Sequence, residues 1–238
     1  DHRDLHSFPT RRSSDLVLAG LPRVVSTVAG LGYVFINRSL KARLLRPLLV
    51  LGFRLLLNRH GSHVIVQNRD DQVMFTERGL VARDRVALIA GSGVDTNRFA
   101  PSPEPEGVPT AALVARMLWD KGVGEAVSAA RLLKQKGIPF RLLLAGIPDP
   151  DNPRTITEEQ LRAWQDEGAA EWLGHVEDVA ALWRQVHIAV LPSCREGLPK
   201  ALLEAAASGR PMVATDAPGC RELVKDGVNG LLVPVRSV

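Results

Sequence analysis

The sequence predicts an α/β fold built on parallel sheets, and three observations predict it. From Pro22 onward, short β-branched or aliphatic runs alternate with longer helical patterns, the order that lays parallel strands under helices on both faces. The 238 residues are 45% hydrophobic and 24% charged, which excludes a disordered chain and leaves room for one large or two small cores. Finally, an apolar run ending at Leu191 turns at Pro192 into a loop and then a helix, the local plan of a ligand mouth at the carboxyl edge of such a sheet.

Taken in chain order, residues 1–16 have neither apolar periodicity nor the apolar core of a secretion signal. The run from Ser7 to Leu16 resembles a translated sequencing adaptor, so the segment is set outside the fold. Strands are expected at 24–28, 63–67, 86–90, 111–115, 140–145, 188–191, 211–214 and 230–233. Helices are expected near 47–59, 70–79, 122–136, 157–168, 178–185, 200–208 and 219–225. On a helical wheel Leu40, Leu44, Leu48, Leu51 and Leu55 share one narrow arc, which reads as a core stripe. Arg43, Arg46 and Arg54 fall opposite, interleaved with Val50 and Leu57, and such a face suits either solvent or an anionic membrane surface. Pro47 is expected to kink this helix or start its second half.

The stretch 101–109 holds four prolines in nine residues and reads as a stiff linker. It divides a first domain, 17–100, from a second, 110–238. Charge divides near the same place. Residues 17–103 carry twelve basic and five acidic groups, whereas 104–238 carry fifteen and eighteen, so a basic module is joined to a mildly acidic one. Two cysteines, Cys194 and Cys220, are too few for a disulfide scaffold. The most apolar stretch, Leu44 to Leu57, is interrupted by Arg46, Pro47 and Arg54, short of a bilayer span.

The stretch richest in chemistry is Ser193-Cys194-Arg195-Glu196-Gly197-Leu198-Pro199, followed by a helix from Lys200 to Ser208 that Gly209 ends. Pro199 fits the first helical position. Gly197 lets backbone approach a ligand, and the N–H groups at the helix start favour a phosphate or diphosphate. Glu196 and Glu204 can accept hydroxyl groups on either side of those phosphates. A polyol with phosphates in its middle is a nucleotide sugar.

The segment EGLPKALLEAAASGRPMVATDAPGCRELV, from Glu196 through Glu204 to Val224, resembles the signature of the retaining GT-B glycosyltransferases of the large nucleotide-sugar-dependent family 4. The segment 25–35 resembles its capsular-polysaccharide branch. The resemblance implies a GT-B-like α/β fold with two Rossmann-like parallel-sheet domains, the N-terminal one incomplete. It implies that Glu204 binds the donor ribose, Glu196 the transferred sugar, and the backbone of Gly197 and Leu198, with Pro199 at the helix start, the phosphate–sugar junction. Arg116 and Lys121, in ARMLWDKG, match an Arg and a Lys that contact the diphosphate in the family. Gly146 matches a glycine that leaves room for the donor, and Gly174-His175-Val176, which includes Val176, resembles the family's strand end beside the nucleotide base. Ser92-Gly93-Val94-Asp95 resembles the family's segment at the domain junction. Ala29 stands where many members have a histidine, and the family's N-terminal glycine-rich acceptor loop has no counterpart.

Other patterns point less far. Asp149-Pro150-Asp151 has the spacing that binds a divalent metal in the other glycosyltransferase fold, but a GT-B donor site uses cations and a helix end instead, so no metal or cofactor is expected. The histidines lack metal spacing, no complete dinucleotide glycine fingerprint is present, and the basic half has no nucleic-acid motif. The expectation is therefore a cytoplasmic enzyme, peripheral to the membrane if its basic domain rests there. It would move a sugar, with retention, from a nucleotide-sugar donor to a glycan or polyprenyl-linked acceptor in the inter-domain cleft. A non-catalytic nucleotide-sugar-binding remnant and a sugar-nucleotide epimerase are the alternatives.

Overall fold

The computed structural model describes residues 23–28 and 40–238, with the side chains of 40–46 and 49 left aside. The adaptor-like segment, Ala29 and most of the capsular-branch segment lie outside the described residues. Contacts gather into two units, Asp1–Ala90 and Gly91–Val238.

In the first unit, β1 (Val24–Val28), β2 (Ser62–Val66) and β3 (Val86–Leu88) form a parallel sheet in that order, with Val24 opposite Ser62 and Val64 opposite Val86. Helices α1 (Leu40–Leu57) and α2 (Arg69–Glu77) connect them. Asn68 caps α2, its side-chain oxygen accepting the Asp71 N–H at 2.8 Å, and Asp70 and Asp71 complement the dipole of that first turn. Leu57, Val64, Val66, Phe75, Leu80 and Val81 make the core.

The expected leucine stripe is a correction. Leu48, Leu51 and Leu55 are exposed, at 66, 53 and 64%, whereas Leu57 is buried and Val50 and Phe53 pack on the core. Helix α1 is apolar on most of its circumference, so periodicity alone could not choose the inward face. An edge-on contact of Phe53 with Phe75, centroids 6.1 Å apart, accompanies the orientation observed. Arg54 does not stand free on a basic face either. Its Nε donates to the Gly79 carbonyl and its Nη2 to the Arg78 carbonyl, both at 2.9 Å, which ties α1 to the end of α2. Pro47 stays inside one continuous helix. Among the described residues, no helix is long and apolar enough to cross a membrane.

The second unit has six parallel strands: β4 (Thr110–Val114), β5 (Arg141–Ala145), β6 (Glu171–Gly174), β7 (Ile188–Leu191), β8 (Met212–Thr215) and β9 (Gly230–Val233). Their order is β6-β5-β4-β7-β8-β9, the doubly wound order whose direction reverses between the first and fourth strands of the unit. Helices α3 (Val123–Gln135), α4 (Glu158–Asp166), α5 (Val179–Arg184), α6 (Lys200–Ala207) and α7 (Cys220–Leu223) connect them. Alternate strand residues feed two cores. Ala112, Leu143, Ala189 and Met212 join Trp183 and Leu202 in one; Ala111, Leu113, Leu142 and Leu144 join Val127, Leu161 and Trp164 in the other.

The proline-rich stretch belongs with this second unit. Arg210, only 4% exposed, donates from Nε to the Trp183 carbonyl at 2.8 Å and from Nη2 to the carbonyls of Ser102 and Pro103 at 3.1 and 2.9 Å, and to the Ser102 hydroxyl. The second unit begins at Gly91, whereas the proline content puts the division at 101–109, and the buried guanidinium holds 102 and 103 to this unit.

Candidate functional site

The loops after β4 and β7 flank the place where strand order reverses, and the chain nails them together. The turn Trp119–Lys121 ends at Gly122, whose φ of 74° is left-handed. A Cβ there would strike the Pro192 carbonyl, so only glycine lets the two loops come this close. The Cys194 N–H donates to the Asp120 carbonyl at 2.9 Å, and the buried Ser193 hydroxyl reaches the same carbonyl at 3.2 Å. On the other side, the Glu196 N–H donates to the Pro218 carbonyl at 3.0 Å, and Thr215 Oγ1 donates to the Ser193 carbonyl. Gly219, with φ of 83°, lies so near that an added Cβ would sit 2.6 Å from the Gly197 oxygen and 2.7 Å from that of Glu196.

This bracing brings Lys121 and Glu196 together across 75 residues of sequence. Lys121 Nζ donates to Glu196 Oε1 and Oε2 at 2.6 and 2.7 Å. The two side chains are 21 and 11% exposed, so the pair is half sheltered at the carboxyl edge. Behind the loop, Cys220 is fully buried. Its thiol is pushed up to about 12 by burial and then by the nearby Glu196 carboxylate, which makes it inert as a nucleophile.

Pro199 is the cap residue and not the first helical residue: α6 begins at Lys200 with no side-chain cap. Its first N–H groups, at Lys200 and Ala201, are thus left to a ligand or solvent. Leu198 sits against Gly91, whose left-handed backbone (φ 63°) leaves a gap that a Cβ would fill at 2.7 Å from Leu198 Cδ2. The far end of α6 closes with the Gly209 N–H on the Ala206 carbonyl and the Arg210 N–H on that of Ala205, a Schellman pair.

Glu204 occupies the buried side of α6 at 7% exposure. Burial pushes its carboxyl above the ordinary value; Lys200, the Trp183 indole N–H and Arg98 oppose the rise. Lys200 Nζ stands 3.6 Å from Glu204 Oε1. The Trp183 N–H is buried without a hydrogen bond of normal geometry, so it acts on Glu204 as a nearby dipole. Arg98 donates to the Glu177 carbonyl at 3.3 Å, next to Val176, which packs on the core below. Sequence reasoning passed over Arg98 and Trp183. For Arg98 the signal was its place three residues after Asp95, whose carboxylate accepts the N–H groups of Asn97 and Arg98 and fixes that turn. Trp183 offered no signal, because only packing of α5 on α6 brings it near.

Gly146 has a structural duty first. With φ of 145°, its Cβ would collide with the Ala115 carbonyl, and its N–H donates to the Gly174 carbonyl at 2.7 Å. Arg116 turns to neither glutamate; its Nη1 pairs with Asp149. His187 serves the sheet, its Nδ1 accepting the Thr110 N–H at 3.1 Å. Among the described residues, no cluster of three or more His, Cys, Asp or Glu is arranged to hold a metal.

An anion-ready helix start, a sheltered Lys–Glu pair and a buried acid are set around the reversal point of a doubly wound sheet, the place where folds of this class take their ligands. Solved structures agree on the fold. The Anabaena protein HepE, crystallised with UDP-glucose, superposes with a TM-score of 0.72 over 94% of this chain and 62% of its own, at 20% identity; the fold is GT-B. A Campylobacter jejuni N,N'-diacetylbacillosaminyl-diphospho-undecaprenol α-1,3-N-acetylgalactosaminyltransferase is 30% identical over 226 residues, covering 90% of this chain and 57% of the relative. The putative colanic acid biosynthesis glycosyltransferase WcaL of Escherichia coli is 36% identical over 165 residues, 64% of this chain and 39% of its own. This chain thus spans roughly half the length of these two curated relatives. Residues 108–238 match the model of the group 1 glycosyl transferases, and the chain belongs to that family.

Proposed function

We propose that the second unit binds a nucleotide sugar and that the protein transfers its sugar, with retention, to a glycan or lipid-linked acceptor. The observation that carries this reading is the Lys121–Glu196 pair at the reversal point, beside an uncapped helix start. Lys121 then turns to the donor diphosphate, and Glu196, relieved of its cation, accepts hydroxyls of the transferred sugar. The N–H groups at Lys200 and Ala201 and the Arg116 guanidinium take charge that develops on the leaving diphosphate. Glu204, with Arg98 near it, receives the ribose hydroxyls, and Val176 lies beside the base. None of the side chains at the site stands out as a nucleophile, which accords with a leaving phosphate that assists its own displacement on the same face. The relative's action on a diphospho-undecaprenol acceptor and HepE's complex with UDP-glucose support the substrate classes.

Titration calorimetry with UDP, GDP and ADP tests the reading. One of them is expected to bind, and Glu204→Ala to weaken it about tenfold or more, since a buried acceptor of hydroxyl groups is lost. No binding by any of the three, or binding indifferent to Glu204→Ala, refutes it.

A further inference from the structure

The loop after β5 carries Asp149-Pro150-Asp151, and its first acid has a partner that spacing did not indicate. Ile147 to Ile156 folds back on the segment after β4. The Met117 N–H donates to the Ile147 carbonyl, the Ile156 N–H to the Met117 carbonyl and the Trp119 N–H to the Arg154 carbonyl, each at 2.9 Å. Within the loop, the Asp149 N–H donates to Thr155 Oγ1 at 2.9 Å, and the Asp149 carbonyl accepts the Asn152 N–H at 2.9 Å. Asp149 is therefore fixed through its backbone on both sides. Its carboxylate takes Arg116 Nη1, while the Arg116 side chain stays 59% exposed.

We propose that Asp149 is a positioning residue for Arg116. It grips one corner of the guanidinium and leaves the Nε and Nη2 edge, which has no protein acceptor among the described residues, directed outward for a diphosphate. A planar fork with five donors can serve two anions at once. An arginine already held gives up less rotamer freedom when a phosphate arrives. The pair is an anchored one: a loop stitched to the neighbouring strand end holds the acid, and the acid holds the cation. This inference rests on the reading that Arg116 meets the donor diphosphate.

A double-mutant cycle read by UDP, GDP and ADP calorimetry tests it. Asp149→Ala is expected to weaken the diphosphate that the wild type binds by about tenfold, the worth of one long side chain left unordered. Asp149→Asn is expected to fall between, because the amide oxygen still accepts a hydrogen bond. In the Arg116→Gln background, Asp149→Ala is expected to change nothing further. An equal loss in both backgrounds would mark Asp149 as loop structure only and overturn the proposal. Tighter binding by Asp149→Ala would make the carboxylate a competitor of the phosphate and overturn it too. A wild type that binds no diphosphate refutes the donor-site reading and this inference with it, whereas intact wild-type binding with silent Asp149 variants refutes this inference alone.

Discussion

Separating Lys121 from Glu196 has a consequence whose size the structure allows one to work out. Two unit charges 4 Å apart attract by about 4 kcal/mol at an effective dielectric near 20, and these atoms are closer, at 2.6 and 2.7 Å. Desolvation takes back most of that gain. Exposed pairs contribute about 0–1 kcal/mol, while removing one partner of a fully buried pair costs about 3–5. With 21 and 11% of the side chains exposed, either single change should fall between, near 2 kcal/mol. For a unit of this size that corresponds to a lowering of the melting midpoint by about 4–8 °C. Lys121→Met, Glu196→Gln and the double variant, followed by scanning calorimetry without ligand, provide the measurement. The double variant should lose about 1–2 kcal/mol less than the sum of the singles, because it leaves no uncompensated charge. Strict additivity, within about 0.5 kcal/mol, would show that the contact carries no energy and that the loops are held by their other hydrogen bonds.

The raised Glu204 carboxyl predicts a pH dependence of definite sign. In its proposed role Glu204 accepts hydroxyl groups in the ionised form, so nucleotide affinity should fall as pH drops through a midpoint above the ordinary 4.5, and Glu204→Gln should lose that step. Stability runs the other way: the folded state holds this proton longer than the unfolded state, so stability declines as pH rises from 4.5 through the raised value. Chemical denaturation at several pH values should show that decline in the wild type and not in Glu204→Gln. Arg210→Ala should cost about 3 kcal/mol, since it strips charged donors from the buried Trp183 carbonyl and the part-buried carbonyls of Ser102 and Pro103. A melting midpoint within a degree or so of wild type would refute that role.

Much of the second unit's architecture was legible because its elements announce themselves locally. The run from Ile188 to Leu191, the loop around Gly197, the helix from Lys200 and the glycine at 209 all obey short-range rules, and the structure keeps each within a residue. Strand β6 escaped the residue pattern, and only the family resemblance marked its end at Gly174, because its four residues include Glu171 and Gly174, neither a strand former. The inward face of α1 escaped because leucines, Val50 and Phe53 compete around a helix that is apolar nearly throughout. The pairs that make the site escaped for a further reason. Lys121 with Glu196 and Arg116 with Asp149 join residues 75 and 33 positions apart. Each partner alone reads as a surface charge, and only the parallel stacking of β5, β4 and β7 makes them neighbours.

The turn at Pro218 and Gly219 backs directly onto the carbonyls of Glu196 and Gly197. A side chain grown there would push from behind on the backbone that carries Glu196, the acid proposed to meet the transferred sugar. Random mutagenesis that selects for altered sugar preference should therefore find this rear wall almost immutable. Diversity should accumulate instead on the opposite side of the loop.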